Sequence, residues 1–256
     1  MTRYKVSDIR NLGQPQSVMN RRVAEHWTGP AYMRKFSPYV SQIFLRLNVS
    51  PTQITWMMVF AGWLASWILT NPYLWGAILA FLLAQLQMLL DCSDGEVARV
   101  TKNFNPAGIF IDRIGHYTTE SFLVIAFAIR IADNAQAPEI IWGFVLALLV
   151  IFNKLLNDLV HVTRAIAGYE KLTEDPNVAK PRTKLLAMAR NLFRFLPIHK
   201  LFHSIELTTI FLVAALIDFY LASDFERLTL QFLTVSGLLV VIGHTIAILN
   251  SNRLKK

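Results

Sequence analysis

Six apolar stretches constrain this chain more than any other feature: approximately Ile54–Leu69, Leu74–Leu90, Ile109–Ile131, Ile140–Val160, Leu207–Leu221 and Leu228–Leu249. The hydrocarbon core of a bilayer is roughly 30 Å thick and takes about 20 mostly apolar residues per helix. Within it every backbone polar group must be satisfied by its own segment, so such stretches span as helices. Hydrophobic residues make up 54% of the 256 and charged residues only 16%, which excludes an ordinary soluble globule. The expected fold class is therefore all-α and polytopic, with six transmembrane helices.

Most of the charges lie between these stretches. Of the 25 Lys and Arg, all but Arg130 and Arg227 fall on one side of a six-span topology, and the opposite connections carry Asp133, Glu139, Asp224 and Glu226. The positive-inside rule then sets both termini in the cytoplasm. The formal charge of +8 thus reflects topology and membrane lipids as neighbours, and no nucleic-acid partner is expected. Cys92 is the only cysteine, so no intramolecular disulfide holds the fold.

The first 47 residues are polar and interrupted by Gly13, Pro15, Gly29, Pro30 and Pro38, without the apolar core of a cleaved secretory signal. Within them Tyr32, Met33, Phe36, Tyr39, Val40, Ile43, Phe44 and Leu47 recur at roughly helical spacing, with Arg34, Lys35 and Arg46 among them. The pattern predicts a helix lying in the cytoplasmic interface; the plainer alternative is a juxtamembrane linker. The expected organisation is a cytoplasmic segment over 1–47, a membrane domain over 48–250 and a basic tail over 251–256.

At the cytoplasmic end of the second stretch stands LLDCSDGEVARVTKNFNPAGIFIDRIGH, from Leu89 to His116. On a helix Asp91, Asp94 and Ala98 share one face, and Gly95 removes a side chain beside them. Asn105 can cap the next helix with Pro106 in its first position. Gly108, Asp112, His116 and Glu120 then follow at intervals of four. If the two helices pack side by side with Gly108 allowing close approach, Asp112 converges on Asp91 and Asp94. Hard carboxylate oxygens suit Mg²⁺, with substrate phosphates completing the shell. Two such ions about 3.5–4 Å apart neutralise a diphosphate and activate an attacking hydroxyl. A single acid at a helix end needs no such explanation, because charge is cheap there; three at these spacings, with small residues between, do.

These residues match D-x-x-D-G-x-x-A-R followed by G-x-x-x-D-x-x-x-D, and the chain resembles the CDP-alcohol phosphotransferase family. The match runs through Asp91, Asp94, Gly95, Ala98, Arg99, Gly108 and Asp112, with eight residues between Arg99 and Gly108, and departs only at His116. The stretch NVSPTQIT is also similar to the family's opening segment, so the resemblance covers roughly Asn48 to Asn250. It implies transfer of a phospho-alcohol group, such as phosphatidyl, from a CDP-linked donor to an alcohol acceptor, small or lipidic, with release of CMP in phospholipid biosynthesis. It implies CDP-diacylglycerol as the default donor and a homodimer. It further implies that Asp91, Asp94 and Asp112 hold two divalent cations, Mg²⁺ or Mn²⁺, and that Gly95 and Ala98 line the nucleotide site. Arg99 is implied to support the motif or the diphosphate.

His116 stands where the family has its fourth aspartate. In one reading its neutral ring is the general base, oriented by Glu120. In a second it belongs to a subgroup with another donor or acceptor, and the imidazole shifts metal preference toward Mn²⁺ or Zn²⁺. In a third it is structural and the chain is a non-catalytic nucleotide-binding membrane protein. A cation transporter is a rival of another class, but it needs polar groups continuing across the bilayer, whereas these acids cluster at one end.

In the fourth stretch Asn153, Asn157 and His161, beside Lys154 and Asp158, either line the acceptor pocket or bond between helices. Arg164, Arg182 and Lys184 either attract an anionic substrate or express the positive-inside bias. Asp218 and His244 stand isolated, without an assigned role.

Overall fold

A computed structural model of the chain describes residues 4–19, 28–170 and 198–255. The described residues are all-helical. The elements are α1 (Val6–Gly13), α2 (Gln16–Met19), a π-helical turn (Gly29–Met33), α3 (Arg34–Arg46), α4 (Pro51–Leu69), α5 (Leu74–Thr101), α6 (Pro106–Ile131), α7 (Pro138–Ile166), a 3-10 turn (Ile198–Phe202), α8 (Ser204–Leu221) and α9 (Phe225–Leu249). Arg182, Lys184 and most of the basic connection Gly168–His199 lie outside the described residues.

Five helices, α4, α5, α7, α8 and α9, are long and apolar enough to cross a membrane. This marks a membrane protein. Helix α6 spans 26 residues but carries Asp112, Arg113, His116, Glu120 and Arg130 along its length. The helices begin and end on local chemistry. Ser50 and Gln53 form a capping box ahead of Pro51, and the Asn105 side chain accepts from the Ala107 amide at 3.0 Å, with Pro106 in the first turn of α6. Helix α5 runs unbroken through the whole acidic motif and ends at Lys102, whose left-handed φ of 54° stops it.

Six helices close a ring: α4 packs on α5 and α6, α6 on α7, α7 on α9, α9 on α8, and α8 back on α5. One core cluster gathers Leu69, Leu123, Phe127, Leu146, Phe211 and Leu233, with the Phe127 and Phe211 rings stacked at 3.9 Å. A second, between α4 and α5, holds Ile54, Met58, Val59, Leu90 and Val97 beneath the motif. Glycines let the ring close tightly: a Cβ on Gly115 would stand 2.5 Å from Val59 Cγ2, and one on Gly143 would collide with Ala128 Cβ.

Polar clamps tie the far end. Buried Arg130 donates to Glu226 Oε1 at 2.6 Å, to the Asn71 carbonyl and to the Tyr73 carbonyl at 3.0 Å. Arg227 reaches Asp133 Oδ2 at 2.6 Å and Glu139 Oε1 at 3.2 Å. Asp218, at the end of α8, accepts from the amides of Phe225 and Glu226 at 2.7 and 2.9 Å and so caps α9.

Helix α3 is turned opposite to a core helix. Its small residues Ser37, Pro38 and Ser41 are buried, whereas Phe36, Tyr39, Ile43 and Leu47 are exposed. The serines face inward because they meet a buried carboxylate of α5.

Candidate active site

Three of the expected residues meet. Asp91 on α5 and Asp112 and His116 on α6 each offer one ligand atom, all within 4.8 Å of one another. His116 Nε2 lies 3.3 Å from Asp91 Oδ1 and 3.4 Å from Asp112 Oδ1. None of the three is fully buried; their side chains are 18–34% exposed, so a small cation or a phosphate oxygen can reach them. Two carboxylate oxygens and one imidazole nitrogen converging from two helices form a donor set that fits a divalent ion taking both oxygen and nitrogen ligands.

Asp94 is placed differently. Its Oδ2 accepts a 2.7 Å hydrogen bond from Thr55 Oγ1 of α4, which also donates to its own Pro51 carbonyl at 3.0 Å. Asp94 is thus held toward α4, next to the three-residue group. Thr55, the last residue of the PTQIT stretch, carries a polar contact from α4 to the motif.

Behind His116 lies a buried charge network. Glu120, fully inaccessible, pairs with Lys154 Nζ of α7 at 2.9 Å and with His203 Nδ1, ahead of α8, at 3.5 Å. The same Oε1 stands 4.0 Å from His116 Nδ1. The two ring nitrogens of His116 therefore face two different groups, Nε2 the Asp91–Asp112 pair and Nδ1 the Glu120 carboxylate that pairs with Lys154. His203 was not legible as a site residue, because it adjoins Glu120 only through the closure of α8 onto the ring.

The remaining expected residues are distributed around this centre. Gly108 approaches α4, where a Cβ would touch Thr52 Oγ1 at 3.4 Å, an ordinary contact; α5 and α6 do not pack side by side as expected but each pack on α4, so Gly108 does not bring them together. The space left by Gly95 is taken by the Arg99 guanidinium, whose Nη1 would stand 3.0 Å from a Cβ on Gly95. Arg99 Nε donates to the Gly13 carbonyl at 2.5 Å. Ala98 is partly buried on the same face of α5 as Asp91.

Comparison with protein-family models and with curated proteins finds no match.

In α7 Asn153 and Asp158 bond between helices: Asn153 Oδ1 lies 2.9 Å from His244 Nδ1, and Asp158 pairs with Arg113 and Tyr117. His244 thereby acquires a partner on α7. Asn157 and His161 are exposed. Arg164 donates to the Arg253 and Lys255 carbonyls at 3.0 and 2.6 Å, pinning the C-terminal tail to the end of α7.

Proposed function

We propose that this chain is an integral-membrane CDP-alcohol phosphotransferase, and the observation that carries the reading is the convergence of Asp91, Asp112 and His116 from α5 and α6, both of which pack on α4. In this reading α6 is a sixth span, both termini and the acidic motif face the cytoplasm, and α3 lies in the interface with Phe36, Tyr39, Ile43 and Leu47 toward lipid. The charge distribution and the exposed apolar face of α3 support that placement.

Asp91 and Asp112, with Asp94 held beside them by Thr55, are the residues that would hold Mg²⁺ or Mn²⁺. When bound, such ions neutralise the donor's diphosphate and ease ionisation of the acceptor alcohol. His116 Nε2 takes the proton from the acceptor hydroxyl. The acceptor oxygen then forms a bond to the phosphorus that carries the donor's alcohol, and the phosphoanhydride bond to CMP breaks. CMP leaves with the bonding electrons, and the proton remains on His116 until solvent removes it. Glu120, fixed by Lys154, faces the other ring nitrogen and sets the orientation of the imidazole.

The same convergence favours a second reading, in which His116 Nε2 is a nitrogen ligand and a water takes the proton. Metal preference separates the two. A nitrogen ligand favours Mn²⁺ over Mg²⁺, and the preference reverts when His116→Asp restores an all-oxygen set.

The test of function is incubation of the purified protein with CDP-diacylglycerol, Mg²⁺ or Mn²⁺ and a panel of acceptors that includes glycerol phosphate, inositol phosphate and serine. Formation of one phosphodiester together with equimolar CMP supports the reading and identifies the acceptor. Nucleotide binding without product across the panel would make the chain a nucleotide-binding protein instead. Cation flux in proteoliposomes without nucleotide would revive the transporter.

A further inference from the structure

Helix α1 is built against the motif helix. Glu96, one residue beyond Gly95, is fully buried, and its carboxylate accepts from Ser37 Oγ, from Ser41 Oγ at 2.6 Å and from Gln14 Nε2 at 2.8 Å. Gln14 Nε2 also donates to the Arg34 carbonyl at 2.8 Å, and Gln42 Nε2 to the Tyr4 carbonyl at 2.9 Å, so α1 is stitched to α3 as well. A Cβ on Gly13 would stand 3.2 Å from Glu96 Cβ, so the end of α1 lies close enough to α5 that even a methyl there would need a small shift. From that position the Gly13 carbonyl accepts the 2.5 Å bond from Arg99 Nε.

This bond holds the Nε edge of the guanidinium, which folds back over Gly95. Gly95 lies one helical turn beyond Asp91 on the same face of α5. The guanidinium therefore lies over the turn of α5 that follows Asp91. A planar, permanently charged fork suits phosphate oxygens better than a lysine does. Holding it in place before the ligand arrives removes the ordering cost from the binding step.

We propose that α1 is a positioning element of the site: the Gly13 carbonyl aims the Arg99 guanidinium across Gly95 at the diphosphate of the CDP-linked donor. The inference rests on the CDP-donor reading. It makes Gly13 and Glu96 positioning residues, and it gives the N-terminal segment, outside the acidic motif, a role in donor affinity.

The test is a double-mutant cycle on steady-state CMP release from CDP-diacylglycerol with wild type, Gly13→Leu, Arg99→Gln and the double variant. Each single change raises the donor KM about tenfold, the scale of one charge-assisted hydrogen bond, with kcat little altered. The double variant is no worse than Arg99→Gln, because α1 acts through that side chain, and Arg99→Lys does not restore affinity. Gly13→Ala, whose methyl needs only a small shift, gives a weaker effect in the same direction should the leucine variant fail to fold. Multiplicative losses in the double variant would overturn the inference, since a merely structural α1 lowers activity independently of Arg99. An unchanged donor KM in Gly13→Leu would overturn it while leaving the donor reading intact. Absence of CMP release from the wild type would overturn both.

Discussion

His116 Nε2 lies 3.3 Å from Asp91 Oδ1, joining two helices at positions 25 residues apart. The contact depends on α5 and α6 keeping their register, and α6 is held in register partly by Gly115 against α4. Adding a methyl there would bring Cβ to 2.5 Å from Val59 Cγ2 and 3.0 Å from Met58 Cε. Gly115→Ala is expected to destabilise the protein by about 1–3 kcal/mol, the usual cost of overpacking. CMP release should fall further than stability explains, because the next residue is His116. Thermal unfolding in detergent alongside an activity assay checks both, and an unchanged unfolding midpoint would contradict the packing account.

The buried pair of Glu120 and Lys154 offers a stability test. Lys154→Met leaves a carboxylate without its cation in a fully inaccessible place, at a cost of about 3–5 kcal/mol. Removing both charges with Lys154→Met and Glu120→Leu should recover most of that loss, yet not the activity, since His116 then lacks the group facing Nδ1. A Lys154→Met midpoint equal to that of the wild type would show that the pair does not bear on stability.

Thr55→Val deletes the hydroxyl that holds Asp94 while keeping the side chain's shape. A hydrogen bond to a charged group is worth roughly 1.5–3 kcal/mol, so stability should fall by up to that amount, and kcat/KM about ten- to a hundredfold if Asp94 must be held in place for turnover. If activity is unaffected, Asp94 does not need α4 to orient it.

Metal removal should abolish turnover. Exhaustive treatment with EDTA is expected to stop CMP release, with recovery on adding Mg²⁺ or Mn²⁺, whereas Asp91→Asn and Asp112→Asn should not recover with either ion. Full activity in EDTA would contradict a role for the two aspartates as cation ligands.

Much of this site was legible because its determinants are local. The four-residue spacing of Gly108, Asp112, His116 and Glu120 places them on one helical face, and Asn105 with Pro106 starts that helix at the expected residue. The interval-three pair Asp91 and Asp94 was less decisive: both are on α5, but Thr55 draws Asp94 to α4 while Asp91 meets α6. Partners brought together by ring closure left no trace in sequence spacing. Ser41 and Glu96 are 55 residues apart, and His244 and Asn153 are 91 apart. The apolar pattern of α3 was readable, but its direction was not, because the serines that face inward answer to a carboxylate on another helix. Asp218, isolated within the sequence of its own apolar stretch, caps the start of the next helix instead.

The most direct test of the central claim is CMP release from CDP-diacylglycerol by the purified protein in a single turnover with Mn²⁺ or Mg²⁺, compared with Asp94→Asn and His116→Ala. The account predicts release by the wild type that requires a divalent ion and an acceptor alcohol, and none by either variant. Undiminished release by His116→Ala would contradict the role of His116 as base, and no release by a wild-type protein that binds the nucleotide would contradict phosphotransfer itself.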